Sequence, residues 1–520
     1  MTDRLDHPQL FLPDLWASHA RYRADQPAVV CGQDRRTWKE FNAALNRVAN
    51  ALKRDGFGRG DNIAVVMGNG IPILEVMFGI VKSGACVVPL SGLLTQDQIA
   101  HLIGDCKAGA VFLDAKSRHL VNPRRPEMNR VRPDGLIAIG FEGQDWQTFD
   151  DWIAGAPEDE PGVNYAMEDP FNIIYSSGTT GLPKGIVQTH RARQHWSYSN
   201  ALEMRFHGEA RALTTTALYS NGTWFMVLPP LFVGAAVHIM ESFDPGIFLE
   251  TVERERITHS FMVPAQYITA LDHPDLDKRD LSSIEMMLSA GSPMRQDTKA
   301  AVRKRITPDL YELYGFSEGF ATILRPQDTD TRQGSVGTPV LGFEMHILDD
   351  DGNVLPRGEI GEIAGTGAGL MREYYNRPEQ TAEIIWRDGR GRTFVRSGDI
   401  GRMDEDGFLY ILDRKKDMIL SGGFNVFPAD IEEIVGRHEA VFDVTVIGVP
   451  HDKWGETPLA LVVPKKNATA TVDEIQDWAN ERLAKTQRLA GVEFRDEFPR
   501  NALGKVLKRE LRKRYWTEQK

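Results

Sequence analysis

A short stretch that begins at residue 176 combines the residue types that could bind a polyphosphate. Glycine lets the backbone approach phosphate oxygens closely, hydroxyls donate hydrogen bonds to them, and a lysine supplies positive charge. The candidate residues are Ser176, Ser177, Gly178, Thr179, Thr180, Gly181 and Lys184. The stretch is not a Walker A loop, because Pro183 stands where that pattern needs glycine before its lysine. A surface turn rich in small polar residues is the alternative.

Four segments of the chain, in order, resemble the motifs of the adenylate-forming superfamily of acyl-CoA synthetases, adenylation domains and luciferases. Residues 174–185 resemble its signature loop, and residues 311–319, 394–432 and 499–511 resemble its later motifs. The chain is therefore identified as a member of that superfamily. The resemblance implies ATP, Mg²⁺ and coenzyme A as the molecules that it uses.

The resemblance assigns roles to single residues around the nucleotide. Tyr314 would pack on the adenine, and Glu318 would hold Mg²⁺, which as a hard cation prefers carboxylate oxygen. Asp399 would bind the ribose hydroxyls, and Arg414 the ribose or a phosphate. The remaining expected nucleotide contacts are Ala290, Gly291, Ser292, Gly315 and Ser317, with Thr180 as a second metal contact; Ser317 stands where the superfamily usually has threonine.

Further assignments concern catalysis and the thiol. Lys505 matches the catalytic lysine of the superfamily, although a lysine in such a basic run is ordinarily part of a solvated helix face. Lys416 matches the hinge about which the C-terminal domain rotates. The residues expected beside coenzyme A are Gly422, Gly423, Phe424 and Trp454, and for Trp454 a buried structural role is the alternative.

The acyl pocket is expected around residues 216–230. The candidate pocket residues are Tyr219, Ser220, Trp224, Met262 and Gly291. Ser220 replaces the histidine that the superfamily usually has there, so no ring gates the site at this position. Because no charged residue lies between Tyr219 and Val237, the segment favours an apolar monocarboxylic acid over a dicarboxylate or an amino acid. Aliphatic, cyclic and aromatic acids all remain open.

The elements that must position these residues alternate between short apolar strands and helices. Strands are predicted at residues 62–69, 86–90, 108–114 and 135–140, with an amphipathic helix at 72–85. This alternation predicts an α/β fold with largely parallel sheets, and two Asp-Gly turns predict a β-rich subdomain at about 334–410. The predicted domains are 1–415, which binds AMP and the acid, and a mobile α+β domain at 416–520 that carries Lys505.

Composition limits the function classes. The chain has 520 residues and a formal net charge of -12, which argues against a nucleic-acid partner. Three cysteines without C-x-x-C spacing, a polar N-terminus and no long apolar run predict a cytoplasmic protein without a membrane span. A homodimer stays one option among oligomeric states.

Three alternatives to a CoA ligase stay open. An acyl-adenylate enzyme could load a separate acyl carrier protein. A regulator could bind nucleotide without catalysis, although Glu318, Asp399, Arg414 and Lys505 are all present. A luciferase-type oxygenase would share the fold.

Overall fold

The computed structural model describes residues 10–176, 183–421, 424–466, 468–500 and 506–516. The chain forms two compact units. Unit 1 comprises Met1–Gln327, Pro339–Phe343 and Thr366–Glu383. Unit 2 comprises Asp328–Thr338, Glu344–Gly365 and Ile384–Lys520.

The helices are α1 (Leu12–Tyr22), α2 (Trp38–Arg54), α3 (Ile71–Lys82), α4 (Gln96–Asp105), α5 (Phe149–Ile153), α6 (His190–Glu203), α7 (Leu228–Val233), α8 (Pro245–Glu255), α9 (Pro264–Leu271), α10 (Gln296–Arg305), α11 (Pro378–Glu383), α12 (Pro428–Val435), α13 (Val472–Asn480) and α14 (Lys508–Trp516).

The strands are β1 (Pro27–Cys31), β2 (Asp34–Thr37), β3 (Asn62–Val66), β4 (Cys86–Pro89), β5 (Ala110–Asp114), β6 (Leu136–Ile139), β7 (Gln147–Thr148), β8 (Pro170–Ser176), β9 (Lys184–Thr189), β10 (Arg211–Thr214), β11 (Ala236–Ile239), β12 (His259–Met262), β13 (Met286–Ala290), β14 (Leu310–Gly315), β15 (Ala321–Leu324), β16 (Thr338–Pro339), β17 (Phe343–Leu348), β18 (Ile360–Gly367), β19 (Glu373–Tyr374), β20 (Ile385–Arg387), β21 (Thr393–Met403), β22 (Leu409–Arg414), β23 (Ile419–Ser421), β24 (Phe424–Val426), β25 (Val441–His451), β26 (Gly455–Pro464) and β27 (Gly491–Phe494).

Unit 1 contains two sheets that are largely parallel. One sheet has the order β15-β14-β13-β12-β10-β11-β1-β2, with antiparallel pairing only at the β15 and β2 ends of this run. The other has the order β19-β9-β8-β4-β3-β5-β6-β7, in which β19, β9 and β8 pair antiparallel and the rest pair parallel. The predicted α/β fold is thus confirmed.

The sequence explains why these sheets lie inside the unit. Every residue of β3 and β4 is buried, as the continuous apolar runs predict for parallel strands that are covered on both faces. The helix predicted at 72–85 is α3, whose residues from Ile73 to Lys82 are buried except for Glu75. Its hydrophobic side chains join Trp16, Trp38 and Phe112 in one core cluster.

Unit 2 contains two smaller sheets. The first has the order β17-β18-β21-β20, with β22 paired to β21. The second has the order β24-β23-β26-β25, with β27 parallel to β26. The predicted Asp-Gly turn between β21 and β22 is confirmed, since Asp404 and Phe408 are hydrogen-bonded across it at 3.0 Å and Gly407 has a φ of +88°.

Local sequence signals explain two helix starts in the C-terminal part of unit 2. Helix α12 begins at Pro428, because proline at the first helical position loses no intrahelical hydrogen bond. Thr471 caps α13 through its hydroxyl, which accepts from the Glu474 amide at 3.3 Å, while the Glu474 carboxylate accepts from the Thr471 amide at 2.8 Å.

The two units do not divide at the predicted domain boundary near residue 415. Most of the β-rich segment groups with the C-terminal residues in unit 2, whereas Pro339–Phe343 and Thr366–Glu383 belong to unit 1. A functional boundary at the hinge Lys416 stays a prediction.

Candidate active site

Three predicted site segments of unit 1 meet at one edge of a sheet. Strands β12, β13 and β14 run parallel, with Met262 paired to Ser289 and Ala290 paired to Leu313. The carboxyl ends of parallel strands lie at the same edge, which is where open α/β sheets bind ligands. Met262, the Ala290–Gly291–Ser292 segment and the residues from Tyr314 to Glu318 are therefore neighbours along this edge.

The candidate phosphate loop joins two antiparallel strands. Ser176 ends β8 and Lys184 begins β9, and the two residues are paired across the base of the loop. A Cβ at Gly185 would lie 2.9 Å from Ile173, so the neighbouring glycine lets the strands approach. Ser177, Gly178, Thr179, Thr180 and Gly181 lie outside the described residues, and their roles stay predictions.

Tyr374 connects the loop to the predicted metal ligand. Its hydroxyl donates to Glu318 Oε1 at 2.7 Å, and the ammonium of Lys184 lies 4.6 Å from its ring centroid. Burial, and then the Glu318 carboxylate, raises the pKa of Tyr374, so the hydroxyl stays protonated and donates. Lys184, which is predicted to bind phosphates, and Glu318, which is predicted to bind magnesium, thus both contact Tyr374.

Sequence reasoning misses Tyr374. The pattern of the segment 361–381 predicts a structural role, although its tyrosine at 374 belongs to the pattern that the segment resembles. The tyrosine in that pattern is the signal that could have indicated it.

The backbone after Glu318 is packed against a second loop of unit 1. Gly319 has a φ of +128°, and a Cβ there would lie 2.6 Å from Gly369 O and from the Leu370 Cα. The Met371 amide donates to the carbonyl of Glu318 at 2.8 Å. These contacts fix where the Glu318 side chain begins.

Ser317 is held by two amide side chains. The Gln188 side chain donates to the Ser317 carbonyl at 2.6 Å, and Asn221 Nδ2 donates to the Ser317 hydroxyl oxygen at 3.3 Å. Asn221 begins a short 3-10 helix, Asn221–Met226, that follows Ser220. Neither Gln188 nor Asn221 is indicated by the sequence pattern.

The candidate pocket residues differ in burial. Trp224 and Met262 are only 2% and 0% exposed and pack in hydrophobic core clusters, and Trp224 Nε1 donates to Leu218 O at 2.8 Å. Tyr219 is half-buried, and burial raises its pKa. Ser220 is buried, whereas Gly291 is exposed. Their assignment to an acyl pocket stays a prediction.

The predicted ribose residues lie side by side in unit 2. Asp399 on β21 is paired with Arg414 on β22, and Arg414 Nε lies 3.5 Å from Asp399 Oδ1. The Ser397 hydroxyl accepts from the Asp399 amide at 3.0 Å, which orients the buried carboxylate. Two residues separated by fifteen positions are thereby brought together, as the resemblance implies.

The predicted hinge is held by an arginine of α14. Arg512 donates to the carbonyl of Lys416 at 3.0 Å and to the carbonyl of Asp417 at 2.9 Å. Lys505 lies outside the described residues. Near it in sequence, Lys508 forms an ion pair with Glu432 at 2.7 Å.

Asp413, three residues before the hinge, has an unusual environment. Burial raises the pKa of Asp413 to about 6, while the nearby charge of Lys508 opposes that shift. Its two oxygens accept from the backbone amides of Arg414 at 2.7 Å and of Ala429 at 3.1 Å. The carboxylate therefore connects β22 to the first turn of α12.

An exposed apolar patch lies at the end of β23. Ser421 is paired with both Phe424 and Gly455, which places Phe424 and the Trp454–Gly455 turn beside one another. Leu420, Phe424 and Trp454 are 53%, 62% and 46% exposed, so Trp454 does not have the buried structural role that was the alternative. Gly422 and Gly423 lie outside the described residues.

The described residues fit a magnesium ion that is bound mainly by phosphates. Among residues 10–176, 183–421, 424–466, 468–500 and 506–516, no group of three or more His, Cys, Asp or Glu side chains could hold a metal. Mg²⁺ is commonly bound by one or two carboxylates together with substrate phosphates, and Glu318 supplies such a carboxylate. In the same part of the chain, no helix combines the length and hydropathy that crossing a bilayer requires.

Comparison with known sequences identifies related families and proteins. The profile of the AMP-binding enzymes matches residues 16–375, and that of the AMP-binding enzyme C-terminal domain matches residues 430–505. Feruloyl-CoA synthase of an Amycolatopsis species is 33% identical over 500 residues, covering 95% of this chain and 97% of that protein. The fatty acid–[acyl-carrier-protein] ligase ScoC of Streptomyces coeruleorubidus is 30% identical over 529 residues, covering 99% and 98%.

Comparison with solved structures finds the same architecture. The crystal structure of ATP-bound MatB from Rhodopseudomonas palustris superposes with a TM-score of 0.87 at 28% sequence identity. The match covers 98% of this chain and 100% of that chain, so both units have counterparts in one protein that binds ATP.

Proposed function

This chain belongs to the AMP-binding enzymes of the adenylate-forming superfamily, and we propose that it joins an apolar monocarboxylic acid to coenzyme A at the expense of ATP. The observation that carries the proposal is that Lys184 and Glu318 both contact Tyr374, Lys184 at its ring and Glu318 at its hydroxyl. Lys184 at the end of the hydroxyl-rich loop and the Glu318 carboxylate after β14 are the types of group that magnesium-bound phosphates need.

The first half-reaction makes an acyl-adenylate. A carboxylate oxygen of the acid attacks the α-phosphorus of ATP, an O–P bond forms, and the bond to pyrophosphate breaks. Because two anions must meet, the site has to neutralise charge. Lys184 and the loop hydroxyls contact the β- and γ-phosphates, and Lys505 contacts the carboxylate and the bridging oxygen.

The other residues of this half hold the nucleotide. Tyr314 packs on the adenine, while Asp399 and Arg414 bind the ribose. When bound, Mg²⁺ at Glu318 and Thr180 supplies positive charge to the phosphate oxygens. The Tyr374 hydroxyl keeps the Glu318 carboxylate in one orientation.

The second half-reaction transfers the acyl group. The thiol of coenzyme A attacks the acyl carbonyl, a thioester bond forms, and AMP leaves with the electrons of the broken C–O bond. Rotation at Lys416 moves Lys505 away and presents the face that contains Gly422, Gly423, Phe424 and Trp454. The exposed apolar patch of Leu420, Phe424 and Trp454 supports this assignment, because a pantetheine arm is slender and largely uncharged.

An apolar acid is supported by the environment of the candidate pocket. Half-buried Tyr219 lies in a segment that has no charged residue from 219 to 237, and feruloyl-CoA synthase is among the relatives. One relative is a fatty acid–[acyl-carrier-protein] ligase, so transfer to a separate carrier protein is the second candidate function. A nucleotide-binding regulator without catalysis is the third.

One assay separates the three candidates. Purified protein is given ATP, Mg²⁺ and a panel of aliphatic, cyclic and aromatic acids, and pyrophosphate release is measured with and without coenzyme A. The CoA ligase predicts acid-dependent release that rises with coenzyme A and an acyl-CoA product. Acyl transfer only to an added carrier protein supports the second candidate, and ATP binding without release for any acid contradicts both enzymes.

A matched pair of variants ties the activity to the site. Glu318→Gln is expected to slow pyrophosphate release by on the order of 10²- to 10³-fold, because it removes the metal-binding charge. Glu373→Gln is the control, since Glu373 adjoins Tyr374 in sequence but pairs with exposed Arg372 at 2.6 Å, whereas Glu318 contacts the Tyr374 hydroxyl. Equal losses in the two variants would contradict the role of Glu318.

A further inference from the structure

Arg193 is a buried cation whose neighbours are neutral. It lies in the first turn of α6 and is 3% exposed. Its Nε donates to Asn172 Oδ1 at 2.7 Å, its Nη2 donates to Asn221 Oδ1 at 2.8 Å, and its guanidinium lies 4.6 Å from the Trp224 ring centroid. No carboxylate of the described residues forms an ion pair with it.

This placement is costly for an arginine. Burial lowers the pKa of Arg193 to about 9, and a positive charge in the first turn of a helix is opposed by the helix dipole. Two amide oxygens and one indole face compensate for part of the lost hydration. The guanidinium therefore holds both asparagines firmly, because releasing either would leave a buried charge less satisfied.

The donor and acceptor of each hydrogen bond in this cluster can be assigned in only one way. A guanidinium can only donate, so Asn221 must turn its oxygen toward Arg193 and its Nδ2 away from it. Nδ2 can only donate, and it lies 3.3 Å from Ser317 Oγ. Ser317 is thereby the acceptor in that contact, which leaves its own hydroxyl hydrogen available for another acceptor.

Ser317 stands next to the predicted magnesium ligand. Its carbonyl accepts from the Gln188 side chain at 2.6 Å, which fixes the backbone from which the hydroxyl projects. Glu318 follows directly and contacts Tyr374. A hydroxyl that is constrained to donate at this place suits a phosphate oxygen, which can only accept.

We propose that Arg193 and Asn221 are positioning residues that orient the Ser317 hydroxyl as a hydrogen-bond donor to a phosphate of the bound nucleotide. This inference rests on the proposed function and extends it to two residues that the sequence pattern did not assign to the nucleotide site. The chain of donors runs from Arg193 to Asn221, from Asn221 to Ser317, and from Ser317 to the phosphate.

The structure offers a matched control on the same guanidinium. Asn172 is fully buried on β8 and also accepts from Arg193, but its Nδ2 has no hydrogen-bond partner among the described residues. Asn172→Asp and Asn221→Asp each give Arg193 a carboxylate of the same size. Only Asn221→Asp removes the donor to Ser317, whose hydroxyl would then donate to the introduced carboxylate in place of the phosphate.

The two variants are compared in acid-dependent pyrophosphate release, with melting temperatures to check folding. Asn221→Asp is expected to lower kcat/KM for ATP by roughly 10- to 100-fold, the range for a hydrogen bond to a charged group. Asn172→Asp is expected to retain wild-type kcat/KM. Similar losses in both variants, or no loss in Asn221→Asp, would overturn the proposal.

A double-mutant cycle separates positioning from a general structural effect. In a Ser317→Ala background the hydroxyl is absent, so Asn221→Asp is expected to cause no further loss. Losses that multiply independently would show that Asn221 acts by another route.

The outcome stays distinguishable from that of the proposed function. If the wild-type chain binds Mg²⁺–ATP but none of the tested acids leads to pyrophosphate release, the ligase is contradicted. The same variants are then compared by their ATP dissociation constants. Weaker binding by Asn221→Asp alone would still support the positioning chain. A wild-type chain that does not bind ATP would overturn both.

Discussion

Glu318 in unit 1 and Lys508 in unit 2 are each held by neighbours, but by contacts of different kinds. Glu318 follows β14, and the next residue, Gly319, is packed so closely against Gly369 that a Cβ would lie 2.6 Å from its carbonyl oxygen. Lys508 is held chiefly by its 2.7 Å ion pair with Glu432, in a segment whose hinge is held by the two hydrogen bonds of Arg512.

The difference concerns how easily each arrangement can change. Close-packed backbone between paired strands cannot shift without losing contacts, whereas a single hydrogen bond to an exposed backbone carbonyl, such as that of Arg512 to Lys416, can be exchanged for water at a net cost of about 1 kcal/mol. Unit 1 therefore suits groups that must stay preorganised for phosphates. The hydrogen bonds of Arg512 at Lys416 and Asp417 are compatible with the proposed rotation at this residue.

The largest expected effect comes from replacing Lys505. Lys505→Ala should slow adenylation by on the order of 10²- to 10³-fold, because one key charge at the reacting oxygens is lost. Thioester formation from supplied acyl-adenylate should suffer much less. Lys466→Ala, at an exposed lysine, is the control in the same single-turnover assays. Equal losses in both half-reactions would contradict the assignment.

The hinge can be blocked without removing any catalytic group. Proline fixes φ at roughly −65°, so Lys416→Pro opposes a rotation that needs another φ at this residue, and thioester formation should fall to background. Pyrophosphate release should persist. Lys416→Ala keeps the backbone free and should retain both activities, and unimpaired thioester turnover in the proline variant would rule out rotation at this residue.

The close-packed arrangement around Glu318 in unit 1 is tested at Tyr374. Tyr374→Phe keeps the ring beneath Lys184 but removes the donor to Glu318, so pyrophosphate release should fall by roughly 10- to 100-fold. Tyr375→Phe is the matched control, because its hydroxyl contacts Asn62 at 3.0 Å. Steady-state kinetics at saturating acid measures both, and an unaffected Tyr374→Phe enzyme would show that the hydroxyl is dispensable.

The smallest effect is a pH dependence of stability at Asp413. Its folded pKa of about 6 lies above that of an unfolded aspartate, so folding takes up a proton and its contribution to stability falls as pH rises from about 4 to 6. The groups that face it are Lys508 and Glu432. In Asp413→Asn, the free energy of unfolding should fall by roughly 1 to 3 kcal/mol less between pH 4.5 and 7.5 than in the wild type, as measured by denaturation at both pH values. An unchanged pH profile would contradict it.

Much of the fold and part of the candidate site follow from the sequence. Continuous apolar runs predicted β3 and β4, and these strands are confirmed, because burial on both faces of a strand leaves a local pattern in the chain. The resemblance to the superfamily indicated Lys184, Glu318, Asp399 and Arg414, whose roles stay predictions.

The sequence could not indicate Arg193 or Asn221 as partners of the site, and the tyrosine in the pattern of residues 361–381 did not reveal that Tyr374 contacts Glu318. Trp224 illustrates the reason: no charged residue lies between positions 219 and 237, yet Arg193 from α6 stands 4.6 Å from its ring centroid. Likewise, the sequence leaves the burial of Trp454 open, and the turn before β26 leaves this side chain 46% exposed. Local composition determined what chemistry the chain can attempt. Only the order of strands in the sheets decided which distant side chains meet, because those contacts depend on pairing between segments far apart in the chain.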